Sequence, residues 1–260
     1  MLLQFAEEAG YPIEIPVSYS SRVFAMRYST QDRGVLKEAT AMVGIPDVTE
    51  LAGGPHEFAT ALFLHGTTGY ADKCAPSTGM DGGAAAMVPA VMGFIGVAPD
   101  YLGMCGFGEP CDDTFHPYLI GEATAIASLD AVSAAYELMD VLQEDLNAAP
   151  DYRLIPWGGS QGGHAALFVD RYAPHYAPEF DISCVVAIVP PADLVAQSEA
   201  AFEAMGSAAT LGSAFLAASY LWYEPAAPMS SVFNPDGPKD YSSYIPEKFQ
   251  ETCNSNDFFK

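Results

Sequence analysis

The sequence predicts an α/β fold, a mostly parallel sheet with helices on both faces. Three observations carry this. Short apolar runs alternate with longer stretches of helical spacing, the order that builds strand–helix–strand units. The runs end in small or polar loops, as at His65-Gly66-Thr67-Thr68-Gly69 and Pro99-Asp100-Tyr101. One run, from Tyr152 to Trp157, enters Gly158-Gly159-Ser160-Gln161-Gly162-Gly163, and Ala165-Ala166-Leu167-Phe168-Val169 leads out as a helix.

Taken in order, Val23 to Val43 alternates like paired strands around a turn at Gln31-Asp32-Arg33-Gly34. Phe58–Leu64 reads as a buried strand feeding the His65 loop. Ala84–Met92 reads as a helix and Phe94–Ala98 as the next strand. Tyr118–Leu142 has helical spacing and ends before Asn147. The strand into Ser160 follows, then its helix to about Tyr172, then a strand over Cys184–Val189. In such sheets chemistry collects beyond the carboxyl ends of the strands. His65, Asp100, Ser160 and Asp193 all follow predicted strands and should share that rim. After Asp193 the pattern turns to Ala-rich helix, and from Glu224 to a loop rich in Pro, Tyr and Ser. The expected division is a core over 1–195 and a helical lid with trailing loop over 196–260, the lid inserted after the sixth strand.

With 260 residues, half of them hydrophobic, the chain can bury a sizeable core. Its formal charge is −23, from 33 acidic residues against 10 basic. That excludes nucleic acid bound through phosphate neutralisation, which needs a Lys/Arg face. It suits the acidic surface of a secreted or salt-adapted protein. Met1–Ala6 is too short for an apolar signal core and Glu7 and Glu8 interrupt it. Met205–Tyr223 carries no charge, yet it is rich in small residues and lacks a basic anchor, so it reads as a helix over an apolar cavity rather than a membrane span. Five cysteines cannot all pair internally. Cys74, Cys105 and Cys111 lie in loops, and one pair among them, most directly with Cys74, should be a disulfide formed in an oxidising compartment. Cys184 should be a free, buried thiol, and Cys253 should find its partner, if any, outside the chain. No cysteine has a zinc-ligand spacing, and no metal or cofactor is expected.

A bare G-x-S-x-G arises by chance in a chain with 23 glycines. With a strand before it and a helix after it, the motif is a nucleophile elbow, and Ser160 is the candidate nucleophile. The competing reading is a glycine-rich turn with an exposed serine. Acyl transfer also needs donors for the oxyanion. The backbone N–H of Gln161 is the first, and Thr67, with Gly66 as alternative, supplies the second from the loop after the earlier strand. A histidine must take the serine proton and a carboxylate must orient it. Only His164 and His175 follow Ser160. The first lies one turn along the elbow helix, pointing away, and the second stands near its far end. His65 and His116 read as loop-bracing residues, and His56 has no route to the site. The chain is therefore expected to contain no histidine base. Asp193 is the local candidate acid, against an ordinary helix cap. Asp100 reads as a loop organiser, and Asp236 and Asp240 as loop residues of the lid.

With HGTTGYADKCAPS at 65–77, VAPDYLG at 97–103, HPYL at 116–119, WGGSQGGHAALF at 157–168 and PPADL at 190–194, the chain resembles the secretory lipase family. The likeness covers residues 20 to 195. It implies an α/β-hydrolase fold with a helical lid and Ser160 as nucleophile. In that family the acid and histidine follow the lid, on the last strands, so this sequence looks like the N-terminal portion of a longer enzyme, incomplete at its C-terminus. The resemblance implies a carboxylic ester hydrolase acting on small-molecule or lipid esters through an acyl-serine, a C-terminal polypeptide completing the fold, and a secreted or periplasmic location. A lidded serine peptidase of the same fold and a non-catalytic substrate-binding fragment are the alternatives.

Overall fold

Arg33 and Gly34 take φ of 49° and 79°, the left-handed pair that a two-residue hairpin turn requires. They join β1 (Ser20–Asp32) to β2 (Val35–Asp47) in one unbroken antiparallel register, from Asp32 opposite Val35 to Ser20 opposite Asp47. The computed structural model describes residues 17–111 and 115–254; the Met1–Glu8 stretch lies outside them.

The remaining strands are β3 (His56–Leu64), β4 (Ile95–Pro99), β5 (Ala148–Gly159), β6 (Asp181–Ile182) and β7 (Val186–Ile188). The sheet order is β1-β2-β4-β3-β5-β6, with β7 also on β5. Only β1–β2 and β2–β4 are antiparallel; β3, β4, β5, β6 and β7 run parallel. Every residue of β4 is buried, as an interior parallel strand demands. β6 and β7 lie along successive stretches of β5, so the single strand read over Cys184–Val189 is the second half of a broken edge strand.

Helices α1 (Met80–Val91), α2 (Gly121–Val141) and α3 (Gln161–Tyr176) cover the sheet. α1 packs on β2 and β4, while α2 and α3 pack on each other and on the sheet. Ala123, Ala125, Ala127, Ala131 and Ala135 let α2 press close, and all five are buried. α2 starts three residues later than its spacing suggests. The Ile120 N–H donates to the Pro117 carbonyl at 3.0 Å and Leu119 has φ of 58°, so Tyr118-Leu119-Ile120 forms a turn instead.

After β7 come α4 (Leu194–Ala204), α5 (Gly206–Tyr223) and α6 (Tyr241–Glu251). They build a second core in which Ala214, Ala217, Ala218, Phe233, Ile245 and Phe249 meet Tyr70, Tyr118 and Leu119. No helix among the described residues is long and apolar enough to cross a membrane.

One pair of the three loop cysteines is bonded and Cys184 is free, but the connectivity corrects the sequence reading. The pair is Cys105–Cys111, and Cys74 bonds Cys253. The cause is α6: its last turn lies beside the Cys74 loop, where Lys73 Nζ donates to the Glu251 carbonyl at 2.6 Å. Cys184 is exposed rather than buried. It sits in the break between β6 and β7, on a side of the sheet where no further strand pairs among the described residues.

Candidate active site

Ser160 stands between the end of β5 and the start of α3 with φ 55° and ψ −119°. This left-handed backbone is costly for a non-glycine residue and persists only where its surroundings enforce it. The Ser160 N–H donates to the Ile188 carbonyl at 2.9 Å, and its own carbonyl accepts the His164 N–H at 3.0 Å. A Cβ on Gly158 would lie 2.2 Å from the Leu64 carbonyl oxygen, and one on Gly162 only 1.8 Å from it. Small residues on both sides are therefore a packing requirement of the turn. The result is an exposed serine held at the tip.

Gln161 opens α3, so its backbone N–H belongs to the first turn, where no intrahelical acceptor exists. Its side chain is buried and donates through Nε2 to His116 Nε2 at 2.8 Å. The loop after β3 runs beside the elbow: a Cβ on Gly66 would lie 3.4 Å from the Gly159 carbonyl. Thr67 is tied through Oγ1 to the Tyr118 hydroxyl at 2.8 Å, and Tyr118 lines the Ser160 cavity. Ser160, Gln161 and the Gly66–Thr67 loop thus gather at one rim.

The histidines lie elsewhere, and none hydrogen-bonds the Ser160 hydroxyl among the described residues. His65 faces the Gly66 carbonyl through Nδ1 at 2.7 Å and the Asp100 carbonyl through Nε2 at 3.3 Å, stacked on Tyr101. His116 donates through Nδ1 to the Leu102 carbonyl at 2.8 Å. Burial pulls the pKa of each down to about 4, so both are neutral braces near pH 7. His164 faces the Pro191 carbonyl through Nδ1 at 3.1 Å; burial lowers its pKa against the pull of the Pro191 and Leu119 carbonyls. His175 is exposed near the end of α3, and His56 opens β3 at the other end of the sheet.

Among the carboxylates, Asp193 Oδ1 accepts the Ala196 N–H at 3.0 Å and caps α4. Asp100 organises its loop: Thr40 Oγ1 donates to Oδ2 at 2.6 Å and the Ser77 N–H to Oδ1 at 2.9 Å. Burial raises its pKa. Asp240 caps α6 through the Ser242 N–H, and Asp236 lies in the preceding loop. Asp72, Cys105 and Cys111 come together, but the Cys105–Cys111 bond removes both thiolates as metal ligands.

Over Ser160 lies a cavity of about 160 Å³, walled by Tyr118, Leu119, Pro191, Leu194, Leu211 and Phe215 among others. α4 and α5 form its roof, so the uncharged 205–223 run is a helix over this cavity. Sequence reasoning missed the link from His116 to Gln161; HPYL at 116–119 was visible as a block, but nothing in it pointed to the elbow.

Residues 78–219 match the family described as Secretory lipase. No curated protein sequence matches significantly. Among solved structures, a putative hydrolase of Legionella pneumophila is similar at TM-score 0.72 and 24% identity, over 91% of this chain and 60% of its own. The rice cell wall degrading esterase LipA from Xanthomonas oryzae gives 0.70 and 22%, over 92% and 61%. Candida antarctica lipase A in its closed state gives 0.60 and 20%, over 88% and 50%. The chain thus spans about three-fifths of the first two neighbours and half of the third. At these identities the likeness establishes the α/β-hydrolase fold. The family match covers more than half of the sequence and contains the elbow, and the chain belongs to the secretory lipase family.

Proposed function

We propose that the chain is the nucleophile-bearing part of a serine carboxylic ester hydrolase. The observation that carries this is the left-handed Ser160 at a strand-to-helix elbow under a mostly apolar cavity. Ser160 attacks the ester carbonyl, the Gln161 and Thr67 N–H groups receive the oxyanion, the alcohol leaves, and water releases the acid. The helices after 196 act as a lid, which favours lipid or medium-chain esters. Asp193 remains the local carboxylate candidate, although its oxygen is engaged in a cap.

The histidine, in this reading, comes from a further C-terminal polypeptide that completes the sheet. Two observations support it. β7 pairs on one side only among the described residues, leaving Val186, Ile188 and Val189 exposed. The neighbours are longer than this chain. Membership of a secretory family and two disulfides support a secreted or periplasmic location.

The test is a fluorophosphonate probe followed by p-nitrophenyl esters and aminoacyl anilides. With the C-terminal segment present, labelling should map to Ser160 and vanish in Ser160→Ala. Esters, not anilides, should turn over, slowly in the 260-residue chain and faster with a C-terminal segment bearing the missing histidine. Undiminished turnover by Ser160→Ala would sink the assignment.

A further inference from the structure

One short segment reaches both residues whose N–H groups are the proposed oxyanion donors. His116 Nε2 accepts from the Gln161 side chain at 2.8 Å, and the Tyr118 hydroxyl shares a 2.8 Å bond with Thr67 Oγ1. This segment belongs to neither of the elements it grips. Gln161 opens α3 after β5, Thr67 lies in the loop after β3, and His116 and Tyr118 lie between β4 and α2. The segment itself is stiff. His116 Nδ1 donates to the Leu102 carbonyl at 2.8 Å. The Tyr118 N–H turns back on the His116 carbonyl at 2.7 Å, around Pro117, whose ring holds its φ. The two gripping rings end with centroids 6.1 Å apart. His116 is fully buried and Tyr118 is 3% exposed, packed edge-on against Tyr70 at 5.2 Å.

An oxyanion hole works only when its donors stand about 2.7–3.1 Å from the place the oxyanion takes. Here the donors come from two different strand ends, so their separation depends on what bridges those ends. We propose that His116 and Tyr118 are the positioning residues of the oxyanion hole, a single turn that holds the Gln161 and Thr67 N–H groups at the separation a tetrahedral intermediate needs. His116 acts through Gln161 and Tyr118 through Thr67. The inference rests on the ester-hydrolase reading of Ser160, Gln161 and Thr67.

The test compares hexylboronic acid with heptanamide, its trigonal counterpart, with the C-terminal segment present. Ser160 Oγ adds to boron, its proton passes to the histidine of that segment, and the tetrahedral boronate puts one B–OH oxygen in the hole. Dissociation constants are read by titration, and the adduct by boron NMR. Tyr118→Phe and His116→Asn should each weaken the boronate about tenfold and leave the amide within about twofold. His116→Gln keeps an acceptor near the place of Nε2 and should recover most of the loss. Thr67→Val should weaken the boronate too, and adding Tyr118→Phe to it should cost nothing more, because both remove one bond. Unchanged boronate binding in Tyr118→Phe and His116→Asn, equal weakening of boronate and amide, or no recovery in His116→Gln would each overturn the clamp alone. Additive losses in the double variant would do the same, since the Tyr118 hydroxyl would then meet the ligand directly. Boronate bound as tightly by Ser160→Ala, or no tetrahedral boron signal in the parent, would condemn the ester-hydrolase reading and the clamp with it.

Discussion

The side-chain amide of Gln161 donates to Nε2 of His116 at 2.8 Å, and Nδ1 of the same ring donates to the Leu102 carbonyl at 2.8 Å. Only the neutral ring protonated on Nδ1 can make both bonds. His116 thereby joins the loop after β4 to the first residue of α3, whose backbone N–H is the proposed oxyanion donor. The ring is fully buried and lies nearly parallel to Tyr101. A residue adjacent to the nucleophile is thus fixed from the far side of the sheet rim.

This predicts acid sensitivity. The folded pKa of His116, about 4, lies below its ordinary 6.5, so the unfolded chain binds the proton better. The resulting stability is present above pH 6.5 and is lost as pH falls toward 4. Between pH 7 and pH 5 the loss is about 2 kcal/mol for this one group. Urea unfolding of His116→Asn should therefore lose about 2 kcal/mol less over that interval than the parent. An identical pH dependence in both proteins would contradict the buried neutral ring.

The elbow glycines give a steric prediction. In Gly162→Ala the new methyl would meet the Leu64 carbonyl, so either the elbow or the β3 end must shift. Overpacking of this kind costs about 1–3 kcal/mol. Unfolding free energy should fall by that amount, and fluorophosphonate labelling should slow with it. Gly83→Ala, inside α1 where a Cβ meets nothing within 4 Å, is the control: it should leave labelling unchanged and raise the unfolding free energy by about 0.5–1 kcal/mol.

These features were unequally visible in the sequence. The elbow could be read because its requirements are local: a strand, small residues around Ser160, then a helix. The hairpin and the parallel strands were equally legible, since alternation and apolar runs report burial directly. The cysteine pairing was not. It depends on α6 folding back so that Cys253 reaches Cys74, 179 residues away, and no local signal encodes that return. Cys184 misled because an apolar run implies burial only where the sheet continues on both sides. The Gln161–His116 bond was hidden for the same reason as the disulfide, since its partners meet only through the fold.

The Cys74–Cys253 link predicts how the helical segment is held. Closing a loop of 179 residues is worth about 5 kcal/mol in the chain-entropy limit, the upper bound when the native state is unstrained. A double Cys74→Ala, Cys253→Ala variant should melt several degrees lower, with α6 the first to lose amide-exchange protection. Non-reducing peptide mapping should recover Cys74 and Cys253 on one linked peptide pair. Recovery of Cys74 linked to Cys105 or Cys111 would show the pairing to be wrong.

The middle of the same segment is tied by Trp222, at the end of α5. Its Nε1–H donates to Asp32 Oδ1 at 2.9 Å, and the Arg33 guanidinium lies 4.6 Å over the indole while donating to the Trp222 carbonyl. Asp32 is 6% exposed, so its carboxylate depends on these donors. Trp222→Phe keeps a ring under Arg33 and deletes only the N–H. A hydrogen bond to a charged group is worth about 1.5–3 kcal/mol, less here because Arg33 still serves Asp32. The expected result is a loss of about 1 kcal/mol in unfolding free energy and faster amide exchange over the last two turns of α5. Exchange in β5 should not change, because that strand does not touch the indole's N–H. Unaltered exchange at Leu221–Tyr223 would show that α5 is held by its apolar face against Tyr118 and Phe249 and owes nothing to the hairpin.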